Sequence, residues 1–403
     1  MNWPILTVGD IAAPEARSIA IGPFGSRMKA DSYVPQGVPV VRGNNIVKSR
    51  SPSGDFVYIT DEFADSMPGC ILREGDLVFP HRGAIGEVGL IQGDASTKMM
   101  LSTSLMKLRV DRARMDPQFV YYYFSSSSGR AQLLMRASTV GTPGIGQPLS
   151  SLRSIPIPVP SLAEQRAIAA TLGALDDKVE SNRRAIELMV DVVRGRFAGD
   201  FDVDQADDGV AIGELVDINS RRRLARGEEA TYVGMSSLPE FSPAVLDWEK
   251  RAFGSGQKFV NGDVLMARIT PCLENGKTAV VDMLRDGEVG WGSTEYVVLS
   301  PRGAFSTPWI YALTRHETIR EWAISRMTGT SGRQRFQASG FDEYRIQEPD
   351  PAVLVAFNDF AVPMFRKVSQ ARDEIKLLEK LRDALLPELL SGRIRVPTEG
   401  AAA

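Results

Sequence analysis

With 403 residues, 43% of them hydrophobic and 24% charged, the chain has the make-up of a folded globular protein with room for two to four domains. Its net charge of −3 excludes a protein that coats nucleic acid by bulk electrostatics, so any such binding has to come from local basic patches. Two cysteines (Cys70, Cys272) and two histidines (His81, His316) are too few for a disulfide framework or a familiar cysteine and histidine zinc site.

In chain order, Val38–Val41, Leu77–Phe79 and Leu105–Val110 are β-rich runs between Gly and Pro turns and predict strands. Helical patches follow at Pro117–Phe124 and Ala131–Met135, with Ser125–Ser128 between them read as a flexible loop or helix end. The start, Met1-Asn2-Trp3-Pro4, is not that of a signal peptide, and no apolar run approaches the roughly 18 residues of a membrane span. A cytoplasmic protein without a membrane partner is expected.

After the extended run Ile155–Pro160, a long helix is predicted from Ser161 or Leu162, with Glu164 placed for a capping box, ending before Gly199. Its apolar seam is Ile168, Leu172, Leu175, Val179, Ile186, Met189 and Val193, with Asn182 the one polar position. The five aspartates between Asp200 and Asp208 predict a solvated linker. Beyond it, Tyr296–Leu299 predicts a strand and Pro308–Met327 a helical region. A second seam follows: Leu354, Phe357, Ala361, Met364, Val368, Ala371, Ile375, Leu378, Arg382, Leu385 and Leu389, with Pro363 predicting a kink or a fresh start.

The chain is written twice. A shift of 189 carries Ile168 to Phe357 and every later seam position, through Val193, onto the second seam. The same shift carries Leu152, Ile155, Ile157 and Pro160 onto Phe341, Tyr344, Ile346 and Pro349. With small gaps, Gly75–Val78 matches Gly262–Leu265 and Ser102-Thr103 matches Ser293-Thr294. The expected fold class is α+β: two α+β domains related by pseudo-two-fold symmetry and separated by two long antiparallel coiled-coil helices. The expected boundaries are 1–160, helix 161–199, 200–348, helix 349–396 and a disordered tail 397–403. A first helix of about 34 residues spans roughly 50 Å. Two readers on such a strut would meet DNA faces about one turn, 34 to 36 Å, apart, with an unread spacer of about 5 to 8 base pairs.

Ile157-Pro158-Val159-Pro160-Ser161-Leu162-Ala163-Glu164-Gln165-Arg166-Ala167-Ile168 opens the first helix and Leu381–Gly392 closes the second; both resemble the specificity subunits of type I restriction-modification enzymes. Gly22–Ser26 and Val40–Ile46 resemble that family's target-recognition domain. The second copy departs from the pattern, with Pro349-Asp350-Pro351-Ala352-Val353-Leu354 where the first has its Glu-Gln opening. The resemblance implies a non-catalytic subunit that reads an interrupted site on double-stranded DNA. It also implies two methyltransferase and two restriction/translocase subunits as partners, to which S-adenosylmethionine, ATP and Mg belong, with no cofactor on this chain.

Phosphates call for Lys and Arg, and base edges for Arg, Asn and Gln. In the first half the candidates are Ser26, Lys29, Arg42, Asn44, Asn45, Lys48, Arg82, Lys98, Thr139, Thr142 and Gln147. In the second they are Arg221, Arg222, Arg223, Arg268, Lys277, Thr330, Arg333, Gln334 and Arg335. No catalytic or metal-binding residue is expected. Gly276-Lys277-Thr278 imitates a phosphate loop but has Pro271 where the earlier glycine belongs, and no Asn/Asp-Pro-Pro-aromatic string of an amino-methyltransferase occurs. The competing expectations are a coiled-coil scaffold without DNA specificity and an enzyme with a cleft between its halves.

Overall fold

The structure, a computed structural model, describes residues 3–23, 27–46, 50–93, 98–138, 143–240, 242–245, 247–330 and 332–397. The chain forms two compact units, residues 1–177 with 378–403 and residues 178–377. The central helix is Leu162–Asp200 and the C-terminal helix Pro351–Leu390, so each contributes residues to both units.

In the first unit, one antiparallel sheet has the strand order Ile19–Ile21, Leu105–Leu108, Leu77–Pro80, Gly89–Leu90. A second has the order Val57–Ile59, Val38–Val41, Met99–Leu101, Ile71–Leu72, in which only Val38–Val41 and Met99–Leu101 run parallel. Helices Pro117–Ser125 and Ser127–Leu134 pack beside them. Asp116 caps the first of these by accepting from the Gln118 and Phe119 N–H groups, with Pro117 at the position where a missing N–H costs nothing. The serine run is therefore a junction and not a loose loop: Ser126 ends one helix and its Oγ accepts from Gly129 N–H to begin the next.

The second unit has the same topology. Its antiparallel sheet is Asp217–Ile218, Tyr296–Ser300, Val264–Ala267, Thr278–Val280; its mixed sheet is Glu249–Ala252, Glu229–Val233, Gly290–Gly292, Gln257–Phe259. Glu229–Val233 and Gly290–Gly292 again form the parallel pair. A small two-stranded ladder recurs as well, Leu6 opposite Ile157 in the first unit and Val210 opposite Ile346 in the second. The in-register duplication is thus a duplication of strand order.

The helices pack antiparallel within each unit. In the second, Asn182 donates to Glu374 at 2.8 Å, while further along the central helix Arg196 lies over the Phe360 ring and Phe197 against Phe357. In the first, Ile168 and Leu172 share a core with Leu386 and Leu389, and Asp176 pairs with Arg382. Along the seams Ile168, Leu172, Val179, Ile186, Val193, Phe357 and Val368 are buried; Leu175, Met189, Met364, Ile375, Leu378 and Leu385 are half-buried. Val190, Phe197, Phe365 and Leu386 are buried outside that seven-residue pattern, because the globular parts cover more of each helix than a two-helix seam would.

The helix starts are capped by different chemistry. Ser161 and Glu164 make the reciprocal capping box at 3.1 and 3.3 Å, whereas Asp350 accepts from Ala352 N–H at 2.7 Å. Gln165 is buried, accepts from Asp116 N–H and donates to the Arg114 and Pro160 carbonyls, so the Glu-Gln pair is used up inside the first unit. The C-terminal helix does not begin afresh at Pro363: that residue is exposed, as is Asp359 one turn earlier, so the proline sits on the helix's solvent-facing side. The central helix passes Gly199 and ends at Asp200.

The expected linker after it is a correction too. In Asp200-Phe201-Asp202-Val203-Asp204 the apolar residues alternate with the aspartates, and both Phe201 and Val203 enter the second unit's core. Tyr344 donates its hydroxyl to the Val203 carbonyl at 2.9 Å, which fixes the segment as structure.

Each unit also buries one aspartate at the same place, before the inner strand of its antiparallel sheet. Asp76 receives two hydrogen bonds from Arg109, both 2.7 Å, and Asp263 receives Arg222 at 2.7 and 2.8 Å. Asp76→Ala would strip Arg109 of its buried carboxylate and leave it only the exposed Glu15, and Asp263→Ala would leave Arg222 with none, at a cost of about 3 kcal/mol in chemical unfolding of the unit concerned. Phe357 is fully buried, 5.3 Å from Phe201 and 5.9 Å from Phe197 between ring centres. Phe357→Ala is expected to cost about 3 to 5 kcal/mol in the second unit; a loss under about 1 kcal/mol would contradict this seat for the helix.

Candidate nucleic-acid interface

At one end of the first unit several loops converge on Ser102–Ser104. Ser102 N–H donates to the Val41 carbonyl at 3.0 Å and His81 N–H to the Ser104 carbonyl at 3.0 Å. The approach of Gly22 is so close that a Cβ there would stand 1.8 Å from the Ser102 carbonyl oxygen, which is why glycine precedes Pro23. The hairpin Ala137–Ser138 with Gly144–Ile145 is held to the loop after Pro80 by Ile145 N–H to the His81 carbonyl at 2.9 Å and Gly83 N–H to the Pro143 carbonyl at 3.3 Å. Four loops thereby share one end of the sheets.

The second unit repeats three of these hydrogen bonds. Arg268 N–H donates to the Glu295 carbonyl at 3.0 Å, Phe336 N–H to the Arg268 carbonyl at 2.8 Å and Thr270 N–H to the Gln334 carbonyl at 3.1 Å. Thr328 and Arg335 bridge across the corresponding hairpin, and Ile269 pairs with Arg335 as Arg82 pairs with Gly144. Here the close approach belongs to Gly292, where a Cβ would lie 2.5 Å from the Val233 carbonyl oxygen.

Of the first-half candidates, Arg82 and Asn44 are exposed at this end, and Lys29 is exposed beside the turn at Ala30–Ser32. Gln147 is exposed where the hairpin leads into helix Pro148–Arg153. Ser26, Lys48, Thr139 and Thr142 lie outside the described residues, as do 398–403 of the tail. Three candidates are internally committed. Asn45 is buried, accepting from Arg42 N–H and donating to the Ser53 and Asp55 carbonyls, each at 3.0 Å; it shapes the loop. Arg42 donates its Nη2 to the Asp55 carbonyl at 3.0 Å. Lys98 pairs with Asp61 and Asp65 at the opposite end of strand Met99–Leu101.

In the second half, the structure brings together Arg268, Lys277, Thr330, Arg333, Gln334 and Arg335. Arg333 and Thr330 are exposed at the hairpin turn, and Lys277 Nζ reaches the Met235 carbonyl at 3.5 Å in the neighbouring loop. Arg222 is not part of this cluster: it serves Asp263 and Ser300 at the far end of the same strands, with Arg221 and Arg223 exposed on either side of it.

Glu295 was missed by a search for basic and amide residues. It accepts from both Arg335 and Arg268, and the Arg335 hydrogen bonds hold its carboxyl below the usual range despite partial burial. The repeat held the available signal: Glu295 follows Ser293-Thr294 where Ser104 follows Ser102-Thr103. His81, on the corresponding first-unit loop, is buried with its Nε2–H on the Thr103 carbonyl at 3.1 Å, and burial pushes its pKa down. That is a structural histidine with no nucleophile in hydrogen-bond contact among the described residues. Nor do the described residues hold a cluster of three or more His, Cys, Asp or Glu that could bind a metal, or a helix long and apolar enough to cross a membrane.

The comparisons with known proteins agree with this organisation. Residues 25–188 match the type I restriction modification DNA specificity domain. The specificity subunit of the type I restriction enzyme EcoEI from Escherichia coli is 28% identical over 155 residues, a stretch covering 37% of this chain and 26% of that protein. The MjaIX specificity subunit from Methanocaldococcus jannaschii is 23% identical over 361 residues, covering 81% of this chain and 80% of that one. In fold, the S subunit of a type I restriction-modification system from M. genitalium superposes with a TM-score of 0.60 at 17% identity, covering 96% of each chain. Residues 25–188 are therefore similar to a type I restriction modification DNA specificity domain, and the chain as a whole resembles a type I specificity subunit in sequence and an S subunit in fold.

Proposed function

We propose that the chain is the non-catalytic DNA-reading subunit of a type I restriction-modification complex, each unit reading one half of an interrupted site through the loops gathered at its sheet ends. The observation that carries this reading is the repeated loop frame: one backbone arrangement, built twice, presents exposed Arg82 in one copy and exposed Arg333 and Thr330 in the other. A duplicated reader with unlike side chains suits a site of two unlike halves, with a spacer of about 5 to 8 base pairs between them. Because the overall charge is negative, affinity for double-stranded DNA would come from these local cations.

The long helices are the parts shared by both units, which suits them to carry partners. Two methyltransferase subunits and two restriction/translocase subunits would dock on the chain, supplying S-adenosylmethionine, ATP and Mg, while this chain holds no cofactor and acts in the cytoplasm away from membranes.

The test is to coexpress the chain with its methyltransferase partner and map methylated adenines across the host genome. A gapped, asymmetric motif is expected; an uninterrupted motif, or none, would reject the reading. Arg333→Ala is expected to weaken DNA binding about equally across sequences and to lower the dependence of log K on log salt by about 1, the mark of one lost phosphate contact. An unchanged slope in a titration from low to moderate salt would remove that hairpin from the interface.

A further inference from the structure

The two units share a backbone frame but not the side chains at its centre. Where the second unit has Arg268, Glu295 and Arg335, the same hydrogen-bonded positions of the first hold His81, Ser104 and Gly144. Resting on the function proposed above, we propose that Arg268 is a guanine-reading side chain of the second unit, and that Glu295 and Arg335 are positioning residues that hold it ready.

The hydrogen bonds separate the roles. Arg335 closes its fork on Glu295, with Nε and Nη2 both 2.9 Å from Oε1, and gives Nη1 to the Arg333 carbonyl at 3.0 Å. All three of its nitrogens are engaged. Arg268 gives Glu295 only its Nε, at 3.3 Å, and its two terminal nitrogens have no hydrogen-bond partner among the described residues. A carboxylate on Nε fixes the plane of a guanidinium and leaves its outer edge free, the edge that pairs with O6 and N7 of guanine in the major groove. The trio opens to solvent, its side chains being 25%, 20% and 35% exposed for Arg268, Glu295 and Arg335, so a base edge can reach it.

Charge explains why two arginines accompany one carboxylate. A lone glutamate facing DNA would repel phosphate; Arg335 cancels it and leaves Arg268 as the net positive charge of the cluster. The first unit cannot do the same, since the His81 ring is turned onto the Thr103 carbonyl and position 144 has no side chain. Guanine reading by this trio therefore belongs to one half of the site only.

The experiment uses the full chain in its methyltransferase complex, comparing wild type with Arg268→Lys and Glu295→Gln by genome-wide adenine methylation. Arg268→Lys keeps the charge and loses the fork; Glu295→Gln keeps the shape and loses the charge. Both are expected to relax the same single guanine in one half of the motif, the preference falling about tenfold or more, while the other half stays intact. On random-sequence duplex, Arg268→Lys should keep its affinity and Glu295→Gln should bind more tightly, a gain that a merely structural role for Glu295 does not produce. A wild-type gapped motif left unchanged at every position by Arg268→Lys, or a loss spread evenly over both halves, overturns the inference and leaves the proposed function standing. Absence of any gapped motif with the wild-type chain defeats both.

Discussion

Neither long helix can bury its apolar face alone. In each unit the face is covered by the other helix, running antiparallel, and by that unit's own sheets and short helices. Phe197 and Phe201 of the central helix region meet Phe357 of the C-terminal helix and Trp309 of the globular part in one aromatic cluster, which joins helix pairing to domain packing. Burial on this scale is worth several kcal/mol per ring, far more than the exposed ion pairs along the helices. Asn182, the polar member of the seam, adds direction: its bond to Glu374 is satisfied in one register, and a slip would bury an unpaired amide.

The loop frames depend on a second constraint, close backbone approach. Gly22 and Gly292 let neighbouring segments come within a distance no side chain tolerates, and Asn45 takes over the hydrogen bonding of a turn that has no strand partner. These residues spend their polarity inward. Arg42, Asn45, Lys98 and Arg222 likewise make hydrogen bonds or ion pairs within the fold.

That distinction marks how far the sequence could be read. The seams, the capping box at Ser161 and Glu164 and the duplicated order were legible because they are periodic or local, and a shift of 189 exposed the second copy. The alternation Phe201-Asp202-Val203 is equally local, but its aspartates give the stretch the composition of a solvated linker and hide its period of two. The pairing of Glu295 with Arg268 and Arg335 was not legible, since it joins loops some 27 and 40 residues apart through contacts that no local pattern encodes. Comparing the two copies position by position would have pointed to it, since the frame is common and the residues within it differ.

The first unit is assembled from both ends of the chain, with Trp3 against Gly392 and Leu386 and Leu389 beside Ile168. The second is a single uninterrupted stretch, 178–377. During synthesis the middle of the polypeptide therefore has all its parts while the earlier-made portion still waits for a helix the ribosome has not released. The order of completion is the reverse of the order of emergence, and a chain cut short after residue 377 would leave its oldest segment with an uncovered apolar surface exposed to aggregation.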